Sequence, residues 1–254
     1  MNAPSPKAPL SIALAQPDLR PGDVAGNAAA HAAAIRAAGA RVVVFPELSL
    51  SSYAMAAPTV DLADPALAVI VDACAETGSI ALAGAPLLED GREFIATVRF
   101  DADGAVPVYR KMFPGGDEPG RFAAGPCAAV LDVDGWRLGL AICRDSKIDA
   151  HIEATAALGI DAYVGGNLHD PEGAAVRDAR MPKLAAEYGV WVALSCFAGP
   201  GSDYPDASGG SAVWAPDGSL VAQADGEPDR IVRVDLHRGS AAAARPGDPS
   251  RRPA

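Results

Sequence analysis

The chain has 254 residues, half of them hydrophobic, and a formal net charge of −11. That length and apolar content are enough for one large domain with a sizeable core. The negative balance argues against phosphate backbones and anionic membrane surfaces as partners, because either would be repelled rather than neutralised; a small molecule or another protein is the partner class that fits.

The start, MNAPSPKAPLSIALAQ, is a Pro-rich leader over residues 1–9 followed by a short apolar run, and it lacks the charged, hydrophobic and cleavage regions of a signal peptide. No uncharged run is long enough to span a bilayer. Cys74, Cys127, Cys143 and Cys196 are scattered without a CxxC pair, which fits a reducing cytoplasm and not a disulfide scaffold.

Leu10 to Ala15 reads as a buried strand. Asp23 is placed to cap an Ala-rich helix running to Ala38, and Gly39 to stop it. Arg41 to Phe45 reads as the next strand, ending on Pro46-Glu47, so the first β-α-β unit delivers a carboxylate to a strand end. Asp64 to Thr77 repeats the helical pattern, with Leu67, Ile70, Val71 and Cys74 on one face, and Ser79 to Ala85 is a strand. EFIATVRF and AVPVYR flank Asp101-Ala102-Asp103-Gly104 as a hairpin. Its second strand runs into Lys111 and a Gly/Pro-rich loop of the kind that lines sites on rigid scaffolds. Cys127 to Val133 and Trp136 to Ile142 form a second hairpin around Asp134-Gly135, ending at Cys143. Helix (Ile148 to Leu158), strand (Ile160 to Gly165), helix (Gly173 to Tyr188) and strand (Val190 to Ser195) continue the alternation. Strands at Gly210 to Ala215 and Leu220 to Ala224 follow, with Arg230 to Val234 as a final edge. Residues 238–254 are low in apolar bulk and read as a disordered tail or an arm on a partner. No linker divides the chain, and the periodicity predicts helices packed on a central mixed sheet.

Three strand ends therefore offer Glu47, Lys111 and Cys143. A thiol is a weak nucleophile until it becomes thiolate; an ammonium nearby favours the thiolate and a carboxylate can remove the proton. Singly, each has an ordinary structural explanation: a small core residue for the cysteine, solvated surface for the other two. Together they are the parts of an acyl-transfer site. Cys74, Cys127 and Cys196 read as packing residues, and His31, His151, His169 and His237 show no metal-ligand spacing with them. A rival pairing of Cys143 with His151, as in Cys/His amidotransferases, wants a Gly-x-Cys-x-Gly elbow, which Ala141 and Asp145 do not supply.

The motifs VVVFPELSLSSY (residues 42–53), YRKMFPGGDEPGRFAAG (109–125) and GLAICRD (139–145), followed late in the chain by SGGSAVWAPDGSLVAQA, resemble the nitrilase superfamily of carbon–nitrogen hydrolases in order and in flanking residues. The resemblance runs from about Leu10 to about Val234. It implies a four-layer αββα sandwich in a single domain over residues 10–237, no cofactor, a small-molecule amide as partner, and assembly as a homodimer or larger homo-oligomer. It implies catalytic roles for Glu47 as base, Lys111 as oxyanion stabiliser and Cys143 as nucleophile, with Glu118 positioning Lys111 or substrate. Tyr53 takes the place of the family's tyrosine after the glutamate, and the Arg144 backbone N–H that of an oxyanion donor; Asn167 and His169 lie where relatives line the pocket. The expected reaction is cleavage of a small linear carboxamide or N-carbamoyl compound through a Cys thioester. The alternatives are nitrile hydrolysis, an ammonia-donating glutaminase, and a catalytically silent binding module, the last suggested by Ile148, Asp149 and Ala150 standing where relatives carry an aromatic, Pro and Glu.

Overall fold

Eight residues of apolar alternation are enough to commit a segment to a strand, but not to a sheet, and this is where the structure adds most. A computed structural model describes residues 8–238. In chain order these form β1 (Leu10–Gln16), α1 (Val24–Ala38), β2 (Val42–Val44), α2 (Ala68–Thr77), β3 (Ile80–Glu89), β4 (Arg92–Asp101), β5 (Gly104–Arg110), β6 (Val130–Val133), β7 (Trp136–Ile142), α3 (Asp149–Ala157), β8 (Ala162–Asn167), α4 (Pro171–Tyr188), β9 (Trp191–Cys196), β10 (Ala212–Trp214), β11 (Leu220–Gln223) and β12 (Arg230–Leu236). The strands make two six-stranded sheets, ordered β12-β1-β2-β3-β4-β5 and β11-β10-β9-β8-β7-β6. This corrects the single central sheet expected from the alternation and gives the four-layer αββα sandwich, because βα periodicity is the same whichever sheet a strand joins.

The layers follow from side-chain alternation. In β1, Ile12 and Leu14 face the opposite sheet and Ala13 and Ala15 face the helices; in β2, Val42 and Val44 face inward and Val43 outward. Leu138, Leu140 and Ile142 of β7 complete the inter-sheet core, while Ala141 faces α3 and α4. Ala13, Ala15, Ala141 and Gly139 are small outward positions, which lets the helices sit close there. A side chain at Gly139, for instance, would overlap Thr155 and Ile160.

Local signals behave as their chemistry dictates. Asp23 accepts the Gly26 N–H at 2.9 Å and Gly39 closes α1 in the left-handed conformation at φ 56°. The segment before α2 is a short 3-10 turn, Pro65–Leu67, so the α-helix starts four residues later than the pattern predicts. β3 extends to Glu89 because Asp90-Gly91, with φ of 49° and 74°, makes a tight hairpin with β4. β6 starts only at Val130, and Cys127 is exposed, contrary to its reading as a packing residue. Residues 1–7 of the leader and 239–254 of the tail lie outside the described residues. Arg238 stacks on Trp136, 5.1 Å from the ring centroid, and donates to Gly135 O at 3.0 Å. Among the described residues no helix is long and apolar enough to cross a membrane.

Strand direction brings the three motif ends to one edge. β1, β2 and β3 are parallel, β4 reverses, and β5 runs with β3 again, so Lys111 emerges at the same edge as Glu47. In the second sheet β7, β8 and β9 are parallel, and β2 packs on β8. Two glycines permit that approach. A Cβ at Gly84 would lie 2.2 Å from Leu48 N, and one at Gly166 2.5 Å from Phe45 O, both backbone atoms of the Glu47 segment. Gly84→Ala is expected to cost about 3 kcal/mol or more, the upper range for overpacking because backbone and not a flexible side chain must move. Urea denaturation checks this, and a loss below about 1 kcal/mol would refute it.

Candidate active site

Glu47 sits in a tight turn after β2. Leu48, Ser52 and Tyr53 all have φ between 50° and 60°, a region costly for side chains, and the turn is held from both sides. Leu50 N–H donates to Gly84 O at 2.9 Å. Behind it lies His31, wholly buried in α1. Its Nδ1 is 2.7 Å from Asn27 O and must donate there, so its Nε2 accepts from the Ser49 hydroxyl at 2.8 Å, and Ser49 Oγ in turn accepts the Gly84 N–H at 3.2 Å. Burial lowers the His31 pKa to about 4, so the imidazole is neutral, as this arrangement requires.

Lys111 follows β5 and is 1% exposed. Its Nζ donates to Glu47 Oε1 at 2.6 Å and to both carboxylate oxygens of Glu118 at 2.7 Å. Glu118 also accepts the Gly115 N–H at 2.7 Å and the Tyr53 hydroxyl at 2.5 Å. Two carboxylates and one ammonium thus share a buried site. Burial pushes Glu47 up to about 7; the Lys111 charge opposes that rise and Glu118 adds to it. For Lys111 burial works against the charge, but Glu47, Cys143 and Glu118 outweigh it and hold the ammonium above its ordinary range. Glu47 Oε2 is buried with no hydrogen-bond partner, and the Cys143 thiol is near enough to influence that carboxyl's protonation.

Cys143 opens a 3-10 turn, Cys143–Lys147, directly after β7, with φ 43°. This is a strained strand-to-turn elbow that lifts a side chain off the sheet edge. Its Sγ donates to Leu168 O at 3.2 Å, and burial together with Glu47 raises its pKa, so the resting group is a thiol. The first N–H groups of such a turn, Arg144 among them, have no acceptor within it. Asp145 fixes the elbow by accepting the Ile142 N–H at 3.0 Å.

The structure therefore brings Glu47, Lys111, Glu118 and Cys143 together. Tyr53 is 6% exposed with its hydroxyl committed to Glu118. The Arg144 side chain is exposed and lies over Gly115, where a Cβ would be 2.4 Å from its Cδ. Asn167 is buried, with long contacts of 3.4 and 3.5 Å from Nδ2 to Gly165 O and Ser195 O and an unpartnered Oδ1. His169 is buried with Nε2 unpartnered, and burial, Lys147 and Arg177 lower its pKa to about 3. His151 is bound through both ring nitrogens to tyrosine hydroxyls, which disposes of the rival pairing with Cys143. Sequence reasoning missed Tyr204, whose ring meets Tyr53 edge-on at 5.3 Å. An aromatic in the Gly/Pro-rich run GPGSDYPDA was the available signal, by the loop argument applied to residues 112–126. Among the described residues no three His, Cys, Asp or Glu side chains cluster as metal ligands.

The fold and the sequence have counterparts among known proteins. Residues 11–246 match the protein family described as carbon-nitrogen hydrolase. An (R)-stereoselective amidase from a Pseudomonas species is 28% identical over 92% of this chain and 88% of its own length. A hydrolase in the pqqF 5′ region of Pseudomonas protegens is 31% identical over 85% of this chain and 79% of its own. The crystal structure of an amidase from Nesterenkonia sp. superposes with a TM-score of 0.81 at 25% identity, covering 91% of each chain.

Proposed function

The chain belongs to the carbon–nitrogen hydrolase family, on its amidase-like branch, and from that premise we propose that it cleaves a small linear carboxamide or N-carbamoyl compound through a thioester on Cys143. The observation that carries this reading is the buried Glu47–Lys111–Glu118 cluster beside the Cys143 elbow.

Each group has a task suited to its environment. Glu47, with its pKa raised into the neutral range, takes the Cys143 proton, and the sulfur attacks the carboxamide carbon. The carbonyl electron pair moves to oxygen, where the Lys111 ammonium and the Arg144 N–H stabilise it. Collapse of this adduct breaks the C–N bond; protonated Glu47 returns its proton to the departing nitrogen, and ammonia or an amine leaves. Water then adds to the thioester, giving its proton to Glu47, and the acid is released with the thiol restored. Glu118, anchored by Tyr53 and Gly115, keeps Lys111 from following Glu47 alone. The Tyr53–Tyr204 pair, edge-on beside Glu118, favours substrates with an apolar group next to the reacting carbon.

The test is a panel of amides, ureido acids and nitriles, with ammonia release and intact mass of Cys143 adducts as readouts. Amide turnover with an acyl adduct is expected; absence of both on every compound overturns the reading. Because the base must be ionised and its pKa is about 7, kcat/KM is expected to be lost as pH falls through about 7 and to level off above it. A profile flat from pH 5 to 8, or product formed equally by Glu47→Gln, would remove Glu47 as the base.

A further inference from the structure

Behind the Cys143 elbow is a buried polar group that the reaction scheme does not use. Asp145 is fully buried and has three donors aimed at it: Ile142 N–H at 3.0 Å, Phe113 N–H at 3.0 Å and the Tyr109 hydroxyl at 2.7 Å. Burial raises the Asp145 pKa, and the three donors oppose that rise by favouring the ionised carboxylate, the form in which all three can donate. The single Tyr109 proton is therefore spent on Asp145, and Tyr109 Oη is left as an acceptor. It accepts the Met112 N–H at 3.3 Å and faces His151 Nε2 at 2.9 Å, so Nε2 must carry the imidazole proton. His151 Nδ1 is then the acceptor, and Tyr163, 3.0 Å away, supplies the proton. Thr155 does not compete, because its hydroxyl donates to His151 O at 2.8 Å. Burial lowers the His151 pKa, in keeping with a neutral ring. Every proton in the chain Tyr163, His151, Tyr109, Asp145 has one direction.

We propose that His151, locked in its Nε2–H tautomer by Tyr163, is a positioning residue that aims Tyr109 at Asp145 and so sets the elbow of Cys143 against the loop of Lys111. The two ends of the chain of bonds explain the effect. Asp145 holds the N–H just before Cys143, and Asp145 with Tyr109 holds the two N–H groups just after Lys111, at Met112 and Phe113. The nucleophile and the oxyanion-stabilising ammonium are thereby referenced to one carboxylate. Loss of the Tyr163 hydroxyl frees the ring to move its proton to Nδ1. Nε2 then competes with Asp145 for the Tyr109 proton.

This inference rests on the proposed role of Cys143, and its test separates the two. Histidine ring ¹⁵N NMR, with His151→Phe to assign the signal, is expected to show a neutral Nε2–H ring in the parent protein and a changed tautomer in Tyr163→Phe. On the best amide, His151→Phe is expected to lower kcat roughly tenfold with KM within about twofold. Tyr163→Phe, nearly isosteric and the safer variant for folding, is expected to lower kcat several-fold. The double variant is expected to be no worse than His151→Phe, since both act through one chain. An Nδ1–H or charged ring in the parent, unchanged kcat in folded Tyr163→Phe, or additive losses would each overturn the proposal. A parent protein without amide turnover would instead sink the reading of Cys143 and any kinetic role with it, while the tautomer assignment stands or falls by the NMR.

Discussion

Replacing Cys143 with alanine is expected to lower kcat by roughly 10⁴-fold or more while leaving the fold in place, as for other enzymes stripped of a covalent nucleophile. The sulfur is the only atom removed that forms a bond to substrate in the proposed reaction, and nothing else near the elbow can replace it. Glu47 is buried against Lys111, and Asp145 is committed to three donors. The structural cost is small. Cys143 is only partly buried, and its side-chain hydrogen bond to Leu168 O contributes about 1 kcal/mol. The elbow is shaped by Asp145 and by the Ser146 hydroxyl, which donates to Cys143 O at 2.7 Å, and neither contact involves the sulfur. Steady-state ammonia release and thermal denaturation measure the two parts. Residual activity above about 1% of the parent would show that the carbonyl carbon is attacked by another group.

Lys111→Met is expected to damage both activity and stability. It removes the cation from a cluster in which Glu47 and Glu118 are each almost completely buried. Breaking a buried pair from one side leaves uncompensated charge and costs about 3–5 kcal/mol, or a melting temperature lower by on the order of 10 °C in a chain of this size. The pH dependence identifies the cause. Without the ammonium the Glu47 carboxyl loses the charge that opposes its rise and keeps the burial and the Glu118 repulsion that push it above its unfolded pKa. A group with a raised folded pKa favours folding at low pH and loses that contribution as pH rises through the folded value. The deficit of Lys111→Met relative to the parent is therefore expected to be larger at pH 8 than at pH 5.5. A deficit that does not change over this range would indicate lost packing of the lysine stem and not stranded carboxylates. Glu118→Gln makes a useful contrast: it keeps one acceptor oxygen for Tyr53 and Lys111, gives up the one for Gly115 N–H, and leaves a one-to-one charge pair.

The residues after the nucleophile illustrate the limits of comparison by motif. SKIDA departs from the resemblance at Ile148, Asp149 and Ala150, which suggested a silent module. In the structure Ile148 is the extended residue that precedes α3, Asp149 opens the helix, and Asp149 pairs with Arg180 of α4. The altered segment starts a helix and leaves the cluster of Glu47, Lys111 and Glu118 intact. His151 follows it, in the first turn of that helix.

Much of this protein was legible as a string. The βα alternation, the caps at Asp23 and Gly39, the hairpin at Asp134-Gly135 and the strand ends at Glu47, Lys111 and Cys143 are local, each set by steric and hydrogen-bonding preferences within a few residues. The resemblance of three ordered motifs added Glu118. Other features were set by contacts that no short window contains. Lys111 and Glu47 are 64 positions apart, and Ser195 reaches across 180 positions to Ala15 O. The two-sheet sandwich came from the resemblance and not from periodicity, while the raised pKa of Glu47, Tyr204 against Tyr53, and the tautomer of His151 all depend on which faces meet and which atoms lose water. Periodicity reports the side of an element that is buried. It does not report what is buried against it, and it is that neighbour which decides protonation, orientation and chemistry.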